Sequence, residues 1–245
     1  MAKNYLLVFL LLAEPAYAIQ FSPIEMSFTP TGRESVRTFR LENDTDGPVA
    51  VEISIFGRGI TPDGDDELVP SEDEFVVVPE QVVLGAGDVQ WIRVQWIGSP
   101  APEKEMAFRL IAEQLPIDFG DQSEVQGGVI RLLVRYLASV YVVPKGAKAD
   151  ISVISAEQTK GSDQAPRLLV ELRNSGRAHK VLDTIRLVIK SRVSSDVASV
   201  LLSAERLTEL GVRNILAGAT RQLNLAWPAE LPVGPVEVSL ELPAP

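Results

Sequence analysis

The chain has 245 residues, of which 46% are apolar and 23% are charged, and its formal net charge is −10 at pH 7. This is the composition of a folded globular protein with one large or two ordinary domains. The acidic balance argues against a nucleic-acid partner, because phosphate contacts need clustered lysine and arginine.

Residues 1–18 have the pattern of a secretory signal peptide. Lys3 gives a positively charged start, Tyr5 to Leu12 form an apolar segment, and Ala16-Tyr17-Ala18 offers small residues for cleavage. The apolar segment is too short to span the hydrocarbon core of a bilayer. We therefore expect export, cleavage after Ala18, and no membrane insertion of the mature chain.

Short strands separated by turns are predicted from residue 19 onwards. Alternating apolar and polar residues predict strands at Ser35–Leu41, Val49–Phe56, Phe75–Val78, Val89–Trp96 and Met106–Ala112. The segments between them are rich in Asn, Asp, Gly and Pro, which favour turns. The acidic run Asp63–Glu67 lacks the ligand spacing of a calcium loop, so we interpret it as a solvated turn.

The longest apolar run that follows, Val129–Val143 closed by Pro144, is predicted to form one long strand. It is longer than an ordinary strand of about five or six residues, and it is too short and too charged to cross a bilayer as a helix. Its alternate residues Ile130, Leu132, Val134 and Tyr136 are all apolar. They face either the core of their own domain or a partner that is absent when the chain is alone.

A second series of strands follows a short polar linker that ends at Lys148. The predicted strands are Asp150–Ser155, Arg167–Arg173, Val181–Ile189, Ala198–Ser203, Thr220–Trp227 and Val236–Leu242. The segment Ala204–Leu210 favours a short helix. Regular spacing of short strands predicts an all-β protein with two β-sandwich domains, which we assign to residues 19–144 and 145–245.

Catalytic and metal sites are not expected. Cysteine is absent, and His179 is the one histidine. No nucleophile, base and orienting group can be assembled from the spacing, so we expect neither an enzyme nor a cofactor. We interpret His179 as a solvated or hydrogen-bonded loop residue.

Two motifs lie in a fixed order between an N-terminal segment at residues 21–27 and the long apolar run. Residues 78–94 read VPEQVVLGAGDVQWIRV, and residues 104–116 read KEMAFRLIAEQLP. This order resembles the periplasmic pilus-assembly chaperones of the chaperone–usher pathway, with motifs of the approximate form P-P-x-x-x-L-x-P-G-x-x-Q-x-[VI]-R-[VI] and R-E-S-x-[FY]-x-x-x-x-x-x-[IL]-P. The matching positions are Pro79, Leu84, Gly87, Gln90, Arg93, Glu105, Phe108, Leu115 and Pro116. The resemblance covers residues 19–144 and is weaker beyond them.

The resemblance implies two immunoglobulin-like β-sandwich domains that meet at an angle. In that family, the last strand of the first domain lends alternate apolar residues to a pilus subunit that lacks one strand. The chaperone then delivers the subunit to an outer-membrane usher. Main-chain hydrogen bonds supply affinity in such strand addition, and side chains fill the groove. The donor residues here would be Ile130, Leu132 and Val134, with Tyr136.

The chain departs from this family at the residues that bind the terminal carboxylate of the subunit. The family usually has an arginine in the first strand and a lysine near the end of the donor strand, where this chain has Glu25 and Ser139. Arg109, on the neighbouring predicted strand, is the first candidate for a replacement, because a guanidinium can bind a carboxylate through two hydrogen bonds. Arg93 is the second candidate.

The chain also departs from the family at the junction of the two domains. The family's arginine before the closing proline is Val143 here, so the interdomain ion pair expected at Glu105 lacks its cation.

The alternative function is a secreted sandwich that binds carbohydrate or forms part of a surface structure. Trp91, on the more polar face of its predicted strand, would be its aromatic platform.

Overall fold

The computed structural model describes residues 18–117, 119, 132–193, 199–209 and 214–241. In that part of the chain nearly all regular structure is β-structure, with one short α-helix. No helix there is long and apolar enough to cross a membrane.

The first sandwich consists of two facing sheets. Its strands are β1 (Ile19–Ser22), β2 (Glu25–Phe28), β3 (Val36–Asn43), β4 (Val49–Ile60), β5 (Asp66–Pro70), β6 (Phe75–Val78), β7 (Gln81–Leu84), β8 (Val89–Trp96), β9 (Met106–Gln114) and β10 (Arg135–Val142). One sheet has the order β1-β3-β8-β6, and the other has the order β2-β10-β9-β4-β5, with β7 also paired to β4. Strand β10 therefore lies inside the second sheet, beside β9.

Alternate apolar side chains of these strands meet in one core. Phe75 lies at its centre, with its ring edge-on to Phe28, Trp96 and Phe108 at centroid distances of 5.7, 5.0 and 4.9 Å. Such edge-to-face pairs favour packing beyond the burial of apolar area alone. Because the core is continuous, the face of β10 that enters it is fixed, since a one-residue shift would turn every side chain outward.

The second sandwich has shorter sheets. Its elements are β11 (Ile151–Lys160), β12 (Pro166–Asn174), β13 (Lys180–Val181), β14 (Arg186–Ser191), β15 (Val200–Leu202), α1 (Ala204–Glu209), β16 (Asn214–Ile215), β17 (Thr220–Ala226) and β18 (Val236–Glu241). The strand orders are β11-β12-β17, β13-β16 and β15-β14-β18. Within the described residues, no strand of this sandwich pairs with a strand of the first.

A buried asparagine holds the end of β3 in the first sandwich. The amide nitrogen Nδ2 of Asn43 donates hydrogen bonds to the carbonyl oxygens of Gly47, Leu84 and Gly85 at 2.8, 3.1 and 2.9 Å. Its Oδ1 accepts bonds from the backbone nitrogen and hydroxyl of Thr45. One side chain thus satisfies backbone groups of two separate turns, which buried polar groups require.

The second sandwich repeats this arrangement at Asn174, the last residue of β12. Its Nδ2 donates to the carbonyl oxygens of Ala178, Ile215 and Leu216 at 2.8, 3.3 and 3.1 Å. The three sequence separations, 4, 41 and 42 residues, are the same in both sandwiches. The two sandwiches therefore share an internal structural repeat.

Candidate functional site

Strand β10 enters the core at its C-terminal end. Ala138, Val140 and Val142 are fully buried on the core face. Tyr136, on the same face, packs against the edge of the core, and its hydroxyl donates a hydrogen bond to the carbonyl of Ile19 at 2.7 Å. This end of the strand is anchored in its own domain.

The N-terminal half of β10 is an open sheet edge. Strand β2 pairs only with the segment from Ser139 to Val142, whereas β9 pairs with the whole of β10. Among the described residues, Arg135 to Ala138 are therefore paired on one side only. A free row of backbone groups of this kind can accept a further strand.

The core-facing row of side chains continues past the end of the sheet. Val134 still packs against the core, but Leu132 is 83% exposed. The ladder to β9 ends where the backbone nitrogen of Gln114 donates to the carbonyl of Val134 at 3.0 Å. The next nitrogen of that strand, in Leu115, donates instead to Ala50 at 2.8 Å. Leu132 therefore lies beyond the last backbone bond between β9 and the β10 segment, and outside the core.

The prediction of a single strand over Val129–Val143 is wrong for the chain alone. The strand begins at Arg135, and Leu132–Val134 lie outside any strand. The reason is that β9 ends at Gln114, so Leu132 and Leu133 have no strand on that side to pair with. Ile130, the first proposed donor residue, lies outside the described residues.

Arg109 is in contact with Ser139, the position at which the resemblance would place a lysine. In the sheet register Arg109 is the direct partner of Ser139, which in turn is the partner of Glu25. The Nη1 of Arg109 donates to the Oγ of Ser139 at 2.6 Å. A basic group is thus present at this point of the sheet, one strand away from the expected position.

Arg109 belongs to a cluster with Arg58 and Asp66. Its Nε lies 2.6 Å from Asp66 Oδ2, and the Nε of Arg58 lies 2.7 Å from Asp66 Oδ1. Burial alone would raise the pKa of Asp66, but hydrogen bonds and charge from Arg109 and Arg58 outweigh burial and hold that pKa below its usual value. The prediction of a solvated turn is therefore wrong for Asp66, which begins β5 and is held by two arginines, whereas Asp63 and Asp65 are exposed.

The arginine cluster lies at the junction of the two sandwiches. Arg58 donates through Nη1 to the hydroxyl of Tyr141 at 3.2 Å, and Asn214 of the second sandwich donates to the same hydroxyl at 3.0 Å. A cleft of about 320 Å³ there is lined by Arg58, Ile60, Gly64, Asp65, Asp66, Arg109, Asn214 and Arg221. Sequence reasoning missed Arg58, because the predicted strand Val49–Phe56 stops short of it, whereas β4 continues to Ile60.

A second junction contact joins Glu105 to His179. Glu105 is only 5% exposed, and its Oε1 accepts a bond from the backbone nitrogen of His179 at 3.1 Å and lies 2.8 Å from that residue's Nδ1. The imidazole also stacks on the ring of Tyr141 at a centroid distance of 3.9 Å. His179 is thus a hydrogen-bonded loop histidine and supplies the partner of Glu105 that Val143 cannot.

Replacing His179 with alanine should destabilise the junction. Glu105 Oε2 already has no hydrogen-bond partner among the described residues, so the buried carboxyl would lose a main side-chain contact. We expect the free energy of unfolding in urea to fall by about 1–3 kcal/mol. The control is His179→Asn, which keeps a side-chain donor and should lose less; equal stability of both variants and the unmodified chain would contradict this role.

The remaining sequence candidates lie on the other sheet. Arg93 is exposed on β8, where its Nη2 donates to Gln95 Oε1 at 3.0 Å. Trp91 is exposed on the same strand and face. The structure therefore brings Arg109, but not Arg93, to the sheet that contains β10.

The family described as pili and flagellar-assembly chaperone, PapD N-terminal domain, matches residues 25–148. The chain belongs to this family. Pilus-assembly chaperones are also found among the solved structures that it resembles, although no curated protein matches it. The predicted family resemblance is confirmed.

Three solved structures resemble this chaperone over most of its length. The class 5 fimbriae chaperone CfaA has a TM-score of 0.55 at 14% identity, covering 93% of this chain and 100% of its own. The CsuC–CsuE pre-assembly complex from archaic Csu pili of Acinetobacter baumannii gives a TM-score of 0.53 at 16% identity, with coverages of 89% and 91%. The YadV chaperone gives 0.52 at 12% identity, with coverages of 90% and 90%. These likenesses confirm the predicted fold of two immunoglobulin-like β-sandwich domains.

Proposed function

We propose that the chain is a periplasmic chaperone that stabilises incomplete pilus subunits by adding a strand to them. The observation that carries the proposal is the core-facing row of β10, which continues beyond the sheet to the exposed Leu132. The open edge at Arg135–Ala138 would supply main-chain hydrogen bonds to the subunit. The CsuC–CsuE structure, a complex of a chaperone with a tip subunit, supports this choice of partner.

The donor residues of this proposal are Ile130, Leu132 and Val134, with Tyr136. In the free chain Val134 and Tyr136 pack against the chaperone's own core, whereas Leu132 is exposed. A subunit that lacks a strand would continue the core along the same row. The apolar residues at the end of β10 would thus belong to the chaperone's own core, and those that precede β10 would belong to the subunit.

The register of the added strand would be fixed by the terminal carboxylate of the subunit at Arg109. This arginine touches Ser139 at the point where the row enters the domain. A guanidinium can hold a carboxylate through paired hydrogen bonds. Arg58, which shares Asp66 with Arg109, adds a second positive charge.

The remaining parts of the proposal concern processing and delivery. Residues 1–18 would direct export and be removed after Ala18. Residues 19–144 would form the subunit-binding domain, residues 145–245 would form the second domain, and the loaded chaperone would pass its subunit to an outer-membrane usher.

The test is co-purification from the periplasm of the source organism. A tagged chain should retain pilus subunits, which mass spectrometry would identify. Retention of no subunit under conditions that assemble pili would refute the proposal. Retention on immobilised glycans that depends on Trp91 would instead favour a carbohydrate-binding protein.

Replacing Arg109 with alanine should lower the subunit yield in this assay. The variant removes the cation next to Ser139, while Asp66 keeps Arg58 as its partner. The matched control is Arg192→Ala, which removes an exposed arginine of the second sandwich that is paired with Glu237 at 3.8 Å. An unchanged yield with Arg109→Ala would remove this residue as the anchor.

A further inference from the structure

The cleft at the junction contains a third arginine, contributed by the second sandwich. Arg221 is the second residue of β17 and is only 4% exposed. Its Nε has no hydrogen-bond partner among the described residues. A buried guanidinium donor without an acceptor is costly, and it indicates room for one more anionic group.

The local charge around Arg221 is incompletely balanced. Burial lowers the pKa of Arg221, the nearby Arg58 lowers it further, and Asp63, Asp65 and Asp66 offset only part of the effect. Two of these three carboxylates, Asp63 and Asp65, are exposed to solvent. The partly buried Asp66 thus remains the main counter-charge inside the cleft.

The loop that leads to Asp66 is built around Arg221. Gly64 has φ +108°, and a Cβ there would lie 2.3 Å from Nη1 of Arg221, so a larger residue would displace the guanidinium. The backbone nitrogen of Gln222 donates to the carbonyl of Pro62 at 2.7 Å and fastens this loop to β17. The second sandwich thus holds the third arginine against the segment that supplies the internal carboxylate.

Asp66 is bound as an external carboxylate would be. Each of its oxygens faces the Nε of a different arginine, at 2.7 Å for Arg58 and 2.6 Å for Arg109. Asp66 also begins β5, a strand that pairs only with β4 among the described strands. A strand at the sheet edge can shift its first residue without breaking an internal ladder.

We propose that Asp66 is an internal competitor at a carboxylate site that both domains share. Resting on the proposed function, the site takes the carboxylate of a subunit terminus between Arg58 and Arg109. The incoming group displaces Asp66 towards Arg221. The free chaperone therefore keeps its anchor occupied until a carboxylate arrives together with an added strand.

The competition has a measurable consequence. If Asp66 fills the site for about 90% of the time or more, the apparent affinity for an external carboxylate is about tenfold or more below the intrinsic affinity. Asp66→Asn keeps the shape of the side chain and removes its charge. A small carboxylate should then bind the variant and stabilise it by mass action.

The experiment follows the thermal midpoint of the full chain in sodium acetate and in sodium chloride at equal ionic strength, with acetamide as the neutral analogue. We expect acetate alone to raise the midpoint of Asp66→Asn saturably, with half-saturation at least about tenfold below that of the unmodified chain. In the chain that keeps Asp66, Arg221→Met should weaken the response to acetate further, because the displaced carboxylate then has no arginine to receive it. Glu42→Gln, which removes the carboxylate of the partly buried pair with Arg40 in the first sandwich, is the matched control and should not respond.

Several outcomes would overturn the proposal. These are the absence of an acetate-specific rise in Asp66→Asn, an equal rise in Glu42→Gln, and a response indifferent to Arg221. If Asp66→Asn does not fold in chloride, refolding in acetate replaces the midpoint as the readout, and failure in both salts refutes the competition. Subunit capture by the unmodified chain tests the proposed function separately, because it does not depend on acetate binding.

Discussion

Replacing Leu132 with asparagine is expected to lower the capture of pilus subunits by about tenfold or more, without loss of stability in the free chaperone. Burying an aliphatic side chain contributes about 1.5–3 kcal/mol, and each 1.4 kcal/mol is about tenfold in affinity. Leu132 is 83% exposed in the free chain, so its contribution is made only in the complex. The triple replacement of Ile130, Leu132 and Val134 should leave no detectable subunit after co-purification.

The control is the neighbouring residue on the opposite face. Leu133 is also a leucine and is 48% exposed, but it does not belong to the alternating set of Leu132, Val134 and Tyr136. Leu133→Asn should therefore retain most of the subunit. Equal losses from Leu132→Asn and Leu133→Asn would show that the segment binds without a fixed face, and full recovery with the triple variant would refute strand donation.

Leu132 and Leu133 are distinguished by the apolar alternation of the segment that precedes β10. Alternation alone assigns Leu132 and Val134 to one face but leaves open whether that face is internal or external. In the structure Val134 packs against the core and Leu132 is exposed, because the pairing of β10 with β9 ends near Val134. Assigning the exposed residue to a subunit is the proposal that this experiment tests. The difference between Val134 and Leu132 is that β9 pairs with the chain as far as Val134 but not at Leu132.

Local pattern was sufficient to predict most strands. Most predicted segments in both sandwiches coincide with strands, because half-buried strands show a period of two. Strands β4 and β11 extend further than predicted, to Ile60 and Lys160. The predicted strand Val181–Ile189 is instead two strands, Lys180–Val181 and Arg186–Ser191. Leu182 and Ile185 in the intervening turn are fully buried, so hydrophobicity does not reveal the break.

The arginine cluster could be predicted only in part. Arg109 is identified by its face and its neighbouring strand, both of which the sequence provides. Its bond to Asp66 spans 43 residues, and the contact between Glu105 and His179 spans 74. Such pairs are fixed by strand register and domain packing, which a local sequence pattern does not contain. The acidic run around Asp66 therefore has the local pattern of a solvated turn.

Replacing Asn43 with aspartate should unfold the first sandwich at far lower urea concentration than in the unmodified chain. The change exchanges the Nδ2 donor for an acceptor that faces three carbonyl oxygens in a buried position. Leaving buried polar groups unsatisfied costs about 1–3 kcal/mol for each, and more for charged groups. We expect a loss of about 3 kcal/mol or more, a large fraction of the stability of about 5–15 kcal/mol that is usual for a domain.

The internal repeat gives this prediction its control. Asn174→Asp makes the same change in the second sandwich, and its main effect should fall on that sandwich because the hydrogen bonds are equivalent. Tryptophan fluorescence can separate the two, since Trp91 and Trp96 report on the first sandwich and Trp227 on the second. Asn224→Asp, at an exposed position of β17, should change the midpoint little. If Asn43→Asp were as mild as this surface variant, the buried amide would not be the residue that holds the turns together.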